Sequence, residues 1–229
     1  GNGAKVDVLT YEDRPDGCHV TFLPPPIPAL GYVALNLKYG EPFTPVRKNG
    51  PGEIANEFYR IRAGACGIES IVRLADGREL VDARSHLCTE LILEEDDGHP
   101  WGTQQPPAFA ERLGRDTEDV HIVEDSGLSK IVVTGRYKGR DGLVAKLEWQ
   151  QEVILYRGSD RIDFRTVIDW DTTSRRVKIA FPTTFKTSEA TWSIPYGALD
   201  RGPYPPDLRT EAATDGSWPA INWVDIHDD

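Results

Sequence analysis

The 229-residue sequence has no methionine and only three cysteines, Cys18, Cys66 and Cys88. An intact translation product begins with methionine, so this chain, opening on Gly1, is expected to be a piece of a longer protein. An odd number of cysteines with no Cys-x-x-Cys pair argues against a disulfide-stapled secreted scaffold and for reduced thiols in a cytoplasmic protein. No Asn-x-Ser/Thr acceptor for glycosylation occurs. No run approaches the ~20 apolar residues of a membrane helix, so no membrane partner is expected. Gly1-Asn2-Gly3-Ala4-Lys5 lacks the apolar stretch of a signal peptide. His-Glu-x-x-His and Gly-x-Ser-x-Gly are also missing, which removes two common signatures of metal and serine hydrolysis. Positive charge is scarce. Lys plus Arg is 26 against 37 Asp plus Glu, a net charge of -11. Such a surface repels phosphate backbones, so nucleic acid is not an expected partner.

What is present is the composition of a globular chain. Hydrophobic residues make up 39% and charged residues 28%, with 21 Gly and 17 Pro. That excludes a coiled coil or a collagen. A chain of this length forms one large domain or two small ones and buries roughly 70–75% of its unfolded surface without staples.

The pattern along the chain is that of strands. Pro24, Pro25, Pro26 and Pro28 exclude a central strand or a helix interior, so residues 18–39 begin as an extended crossing segment. Alternation from Tyr32 to Tyr39 then predicts a strand with one apolar face. Residues 40–53 have loop chemistry. A short strand is expected at 58–62. Residues 70–74 and 78–81 are expected to form a hairpin across Ala75-Asp76-Gly77, because glycine accepts the positive φ of such a turn. Residues 94–118, polar and without period, are expected to be a long loop. Strands are predicted at 131–137 and 143–156, the latter with Leu147, Trp149, Val153 and Leu155 on one face. At 161–170, Ile162, Phe164, Thr166, Ile168 and Trp170 are expected inward, with Asp163, Arg165 and Asp169 outward. Val177, Ile179 and Phe181 alternate in another. No capped helix of ordinary length is visible, so the fold class is all-β, a mostly antiparallel sandwich with long loops and little helix.

Chemical motifs are sparse. Glu94-Glu95-Asp96-Asp97-Gly98 offers hard oxygen ligands, but without the alternate spacing of a calcium loop it reads as a solvated acidic turn. His86 and Cys88 are too few for zinc, which needs at least three protein ligands, so no metal site is expected in this chain. No catalytic residue is expected either. Asp163, Arg165 and Asp169 read as a cross-strand charge ladder rather than as a glycosidase acid pair. Residues 190–229 are dense in proline and aromatics. Trp192, Tyr196, Tyr204, Trp218 and Trp223 are candidate platforms for sugar faces, or ordinary packing residues.

Several segments in order resemble glycoside hydrolase family 38, the α-mannosidases, in its bacterial and cytosolic branch. They are Leu23-Pro24 with Ile27-Pro28-Ala29-Leu30-Gly31-Tyr32, Ile54-Ala55-Asn56-Glu57-Phe58-Tyr59-Arg60-Ile61, Gly67-Ile68-Glu69-Ser70-Ile71, and Asp76-Gly77-Arg78-Glu79-Leu80-Val81. The series continues with Leu93 to Gly98 plus Trp101, Tyr156 to Phe164, Val167 to Trp170, Lys178 to Pro182, Ile194 to Arg201, and Trp223-Val224-Asp225-Ile226. The resemblance covers nearly the whole chain. It implies that residues 1–53 are a lead-in segment with a crossing strand and a linker. Residues 54–229 would be a β-supersandwich of the galactose-mutarotase-like kind, truncated at its C-terminal end. It also implies an upstream catalytic domain of the same chain that binds zinc and hydrolyses terminal α-linked mannose with retention, so the fragment needs no cofactor of its own. Its partner through the parent enzyme would be a mannose-containing oligosaccharide. The family often assembles, so a homo-oligomer is among the expectations. Arg201 corresponds to a family arginine near the substrate cleft, with Tyr196 and Tyr204 as further substrate-binding candidates. The sequence departs from the family just there, with Gly202-Pro203-Tyr204 in place of Pro-Thr. Two rival readings are a stand-alone carbohydrate-binding module and a mutarotase-like epimerase, the latter requiring a His and a Glu that converge in a sheet-lined cleft.

Overall fold

The structure is a computed structural model. It describes residues 6, 8–36, 44–96, 98, 110–139, 142, 144–186, 189–202 and 220–226. In these residues the regular structure is β-strand, except for one 3₁₀ turn at Gly114–Asp116. The strands are β1 (Val8–Arg14), β2 (Gly17–Phe22), β3 (Val46–Asn49), β4 (Gly52–Ala55), β5 (Tyr59–Gly64), β6 (Gly67–Arg73), β7 (Arg78–Glu79), β8 (Leu91–Glu95) and β9 (Ala110–Arg112). They continue with β10 (Thr117–Glu124), β11 (Leu128–Arg136), β12 (Val144–Tyr156), β13 (Ile162–Thr172), β14 (Arg175–Ile179), β15 (Ala190–Ile194), β16 (Gly197–Arg201) and β17 (Val224–Ile226).

The central layer is a five-stranded sheet ordered β13-β12-β11-β10-β3, antiparallel throughout. Its alternation follows the sequence. Leu147, Trp149, Gln151, Val153 and Leu155 all turn to one side, and all are buried. Two smaller sheets cover that side. The first, β4-β5-β6-β7, packs Ile54, Ile61, Ala63, Ile68 and Ile71 against Val120, Ile122, Ile131, Val133, Val153 and Leu155. The second, β14-β8-β9, packs Leu91 and Leu93 against Leu113, Tyr137, Leu147 and Trp149. Gln151 donates from Nε2 to the carbonyl of Thr89 at 2.6 Å. Thr89 holds a left-handed φ of 65°, an uncommon state for a β-branched residue that requires such outside support.

Two glycines fit their positions for definite reasons. Gly77 turns β6 into β7 at φ 69°. A Cβ on Gly135 would stand 2.2 Å from the Trp149 indole and 2.8 Å from the Asp116 carbonyl, so the ring lies directly on this backbone. Asn56 joins the sheets at one end. Its Nδ2 donates to the carbonyls of Tyr156 and Ser159, each at 2.9 Å, while Oδ1 accepts from the amides of Phe58 and Tyr59. One side chain thus ties the β4–β5 turn to the β12–β13 turn.

Six expectations change. The expected loop at 40–53 contains β3 and the start of β4. Residues 32–36 form no strand and pair with no described strand, and 37–39 lie outside the described residues. The expected loop at 94–118 contains the end of β8, all of β9, the 3₁₀ turn and the start of β10. Glu94 is not a solvated acidic residue: it is buried and accepts from Arg176 and Lys178, each at 2.9 Å. Phe164 and Trp170 lie on the expected side of β13, yet are 38% and 44% exposed, because β13 is the outer strand and no described strand pairs beyond it; the Phe181 ring meets Phe164 edge-on at 5.3 Å. The hairpin of β1 with β2, which takes in Cys18 to Phe22, was not expected from the sequence.

Candidate functional site

The sequence directs attention to the third small sheet, β16-β15-β17. β15 and β16 form a tight hairpin, with Ile194 opposite Gly197 and Ala190 opposite Arg201. Pro195 and Tyr196 make the turn. Proline presets the first corner, and Tyr196 takes the second with φ 68°, where glycine is the usual occupant. The Tyr196 side chain projects fully into solvent at the tip. Arg201 is half-buried at the other end of the strand. Five residues at ~3.3 Å each put the two roughly 16 Å apart along β16, so one monosaccharide does not bridge them. Tyr204 lies outside the described residues, as do Trp101 and Trp218.

The two sides of this sheet differ. Ala190, Trp192, Leu199, Arg201, Val224 and Ile226 share one, by register. Leu199, Val224 and Ile226 are exposed there at 46%, 41% and 41%. The other side carries Thr191, whose hydroxyl donates to Asp200, and buried Ser193. The Ser193 oxygen accepts the amides of Ile221, Asn222 and Trp223 at 3.1, 2.8 and 3.0 Å. An oxygen so occupied anchors the returning chain and is not free to act as a nucleophile. Nothing in the sequence pattern singles out Ser193.

Two clefts lie elsewhere. The larger, about 460 Å³, is bordered by Cys66, Leu87, Glu90, Arg112 and Gly114. Glu90 is buried and gripped by the Arg112 guanidinium, with Nη2 at 2.7 Å and Nε at 2.9 Å from the same oxygen. The Leu87 amide and His86 Nδ1 add contacts at 3.2 Å each. The other oxygen takes a single shared contact from Arg112 Nε at 3.0 Å, and a buried carboxylate paired in this way stabilises the fold. The smaller cleft, about 320 Å³, is lined by Asn56, Glu57, Asp125, Ser129 and Arg157. The Gly158 amide holds the Glu57 carboxyl below its usual range.

No group of three or more His, Cys, Asp or Glu able to hold a metal ion occurs among the described residues. His86 sits on Glu90, and His121 Nδ1 lies 2.7 Å from Asp119. Burial pushes the Cys88 thiol up to about 12, so it is not a thiolate ligand. These residues do not fit a zinc ion. His121 and Glu152, both buried on the side of the five-stranded sheet away from the two covering sheets, are separated by buried Val132 of the intervening strand. Lys130 ties Glu152 at 2.8 Å. This is not the converging pair that an epimerase needs. No helix among the described residues is long and apolar enough to cross a membrane.

Comparison with known proteins bears on the same region. Residues 54–229 match the profile described as the glycosyl hydrolases family 38 C-terminal domain. The chain is 26% identical over 172 residues to "Alpha-mannosidase G" of Dictyostelium discoideum, covering 73% of this chain and 16% of that protein. It is 24% identical over 216 residues to "Alpha-mannosidase 2C1" of Homo sapiens, covering 86% of this chain and 19% of that protein. The chain therefore spans less than a fifth of these curated relatives. Among solved structures it superposes on an alpha-mannosidase from Enterococcus faecalis V583 with a TM-score of 0.63 at 14% identity, over 98% of this chain and 29% of that one. The last likeness is one of fold.

Proposed function

Starting from a chain that belongs to the C-terminal domain of the family 38 glycosyl hydrolases, we propose that it is the non-catalytic β-sandwich of an α-mannosidase. In this reading an upstream catalytic domain of the parent, carrying zinc, removes terminal α-linked mannose with retention of configuration. The β-sandwich supports that domain and forms one wall of the substrate cleft. Arg201 is the residue that reaches the sugar or the acids around it. Its planar fork of donors suits vicinal hydroxyls and carboxylates equally. Tyr196 and Tyr204 are secondary contacts. Three free thiols, two exposed and one buried, support a cytoplasmic home for the parent.

One observation carries the reading. Arg201 stands half-buried on the side of a small sheet where Leu199, Val224 and Ile226 are exposed. A cation on an apolar side that the described residues leave uncovered suits a surface that another domain completes. The test is hydrolysis of an aryl α-mannoside by the purified chain with zinc. No turnover is expected from the chain, and robust turnover from the longer protein. Turnover by the chain at a rate near that of the longer protein would overturn the proposal. Calorimetric titration with mannose separates the binding-module reading, which requires saturable binding by the chain alone.

A further inference from the structure

The two oxygens of the Glu90 carboxylate are unequally used. The side chain is 3% exposed, and an ionised carboxylate offers about four lone-pair sites over its two oxygens. Oε2 meets Arg112 Nη2 and Nε, the Leu87 amide and His86 Nδ1. Oε1 meets only the shared Arg112 Nε, at 3.0 Å. A buried acceptor so short of donors calls for an explanation. This oxygen faces Gly114, where a Cβ would stand 2.7 Å from it. Gly114 has no positive φ, so glycine is needed there for space and not for conformation. Arg112 also keeps donors in reserve. Its Nη1 has no acceptor among the described residues, and its side chain is 50% exposed. A spare anionic acceptor and spare cationic donors thus border the same cleft of about 460 Å³, which is the size of a small-molecule site.

We propose that this cleft binds a small zwitterion: an amino acid or short peptide with a free ammonium, a carboxylate and an apolar side chain. The ammonium donates to Glu90 Oε1. The carboxylate takes the open edge of the Arg112 guanidinium, with Arg115 beside it at the rim. Hydrogen bonds between two charged groups are the strong ones. The charges around the cleft select a ligand of this kind. Glu90 and Glu111 balance Arg112 and Arg115, and Arg115 already holds Glu111 at 2.8 Å. A ligand that carries both signs and no net charge leaves that balance intact. Leu87 and Ala110 supply an apolar wall, and the Cys66 thiol stands beside them. No aromatic ring is among the lining residues, so a sugar finds no face to stack on. The cleft is formed by β9, the 3₁₀ turn, the turn from β5 to β6 and the approach to β8. None of these belongs to the sheet of Arg201, so the site is independent of the sugar chemistry proposed above.

Calorimetric titration of the 229-residue chain with L-leucine and with leucylglycine tests the proposal, with circular dichroism confirming that each variant is folded. Saturable one-to-one binding of at least one of them is expected at millimolar concentration or below. N-acetylation of the ligand that binds removes its ammonium and should weaken binding at least about tenfold, as for loss of a charge-assisted hydrogen bond. Gly114→Ala closes the space in front of Oε1 and should weaken binding to a similar extent. Ala110→Trp, at an exposed position on the rim, should block the cleft without touching Glu90. Bound ligand should slow the alkylation of exposed Cys66, read by mass spectrometry, and leave that of exposed Cys18 unchanged. No saturable binding by the folded chain overturns the proposal, because water then meets Oε1. Equal binding of the N-acetylated ligand overturns it too, since Glu90 then recognises no ammonium. Binding that survives both substitutions and leaves Cys66 unprotected places the ligand elsewhere and has the same consequence.

Discussion

The sheets β4–β7 and β15–β17 are both built from short antiparallel strands, yet they stand in opposite situations. The first lies on the central sheet and puts Ile54, Ile61, Ile68 and Ile71 into a shared core. The second places no residue in either core cluster and keeps Leu199, Val224 and Ile226 exposed. The contrast teaches that self-sufficient burial and candidate function occupy different parts of the molecule. The first sheet holds the sandwich together; the second, with Arg201, presents an apolar side that the described residues leave uncovered.

Substitutions should separate the two. Ile61 is fully buried, and Ile61→Ala is expected to cost about 3–4 kcal/mol in denaturant unfolding, through lost burial and the cavity left behind. Leu199→Ala should cost less than about 1 kcal/mol in the same experiment. Equal losses at the two positions would erase the contrast. Arg112→Ala leaves Glu90 buried without its cation and should cost about 2–4 kcal/mol. Adding Glu90→Gln should recover part of that loss, because a neutral amide is cheaper to bury; no recovery would mean the pair's charge is unimportant. Asn56→Ala removes four hydrogen bonds at the turn end and is expected to cost about 2 kcal/mol. Asn56→Asp should fare no better, since a carboxylate cannot donate to the Tyr156 and Ser159 carbonyls.

A smaller effect is expected from acid, confined to the first sheet. Hydrogen bonds from Arg73 and Arg84 lower the Asp76 and Asp82 carboxyls to about 2. Burial works to raise Glu79, but bonds from the Ser70 hydroxyl and the Val81 and Ile71 amides outweigh it and hold that carboxyl below its ordinary value. Carboxyls depressed in the folded state bind fewer protons there than in the unfolded chain. They therefore stabilise the fold above their unfolded pKa, and that contribution is lost as pH falls from about 4 towards 2. Denaturant midpoints should decline across that window, and Glu79→Gln should flatten the decline. A midpoint that rises on acidification would contradict the assignment.

The strands of the central sheet were the legible part of the sequence. Residues 143–156 alternate so regularly that side and burial follow directly, because a two-residue period has one solution when one side is buried. Alternation gives the side but not the depth. Phe164 and Trp170 are therefore read correctly as to side and wrongly as to burial, since the sequence does not say that β13 is an outer strand. Residues 32–36 alternate equally well and pair with no described strand. The polar stretch at 94–118 hides strands because Glu94 is matched by Arg176 and Lys178, distant in sequence. At the candidate site, Pro195 marks a turn by residue type, but Tyr196 rather than Gly197 takes its left-handed corner. The triple amide contact on Ser193 joins residues about thirty apart and leaves no local trace.

The most direct measurement of the central claim is steady-state kinetics of the full-length enzyme with Arg201→Ala and Arg201→Lys, on an aryl α-mannoside, with thermal unfolding measured alongside. If Arg201 completes a site on another domain, kcat/KM falls at least about tenfold in Arg201→Ala, as for loss of one charge-assisted hydrogen bond. Arg201→Lys is expected to recover only part of that, and Tm stays unchanged. Unaltered kinetics in Arg201→Ala, or a loss matched by a fall in Tm, would show that this sheet serves the fold and not the sugar.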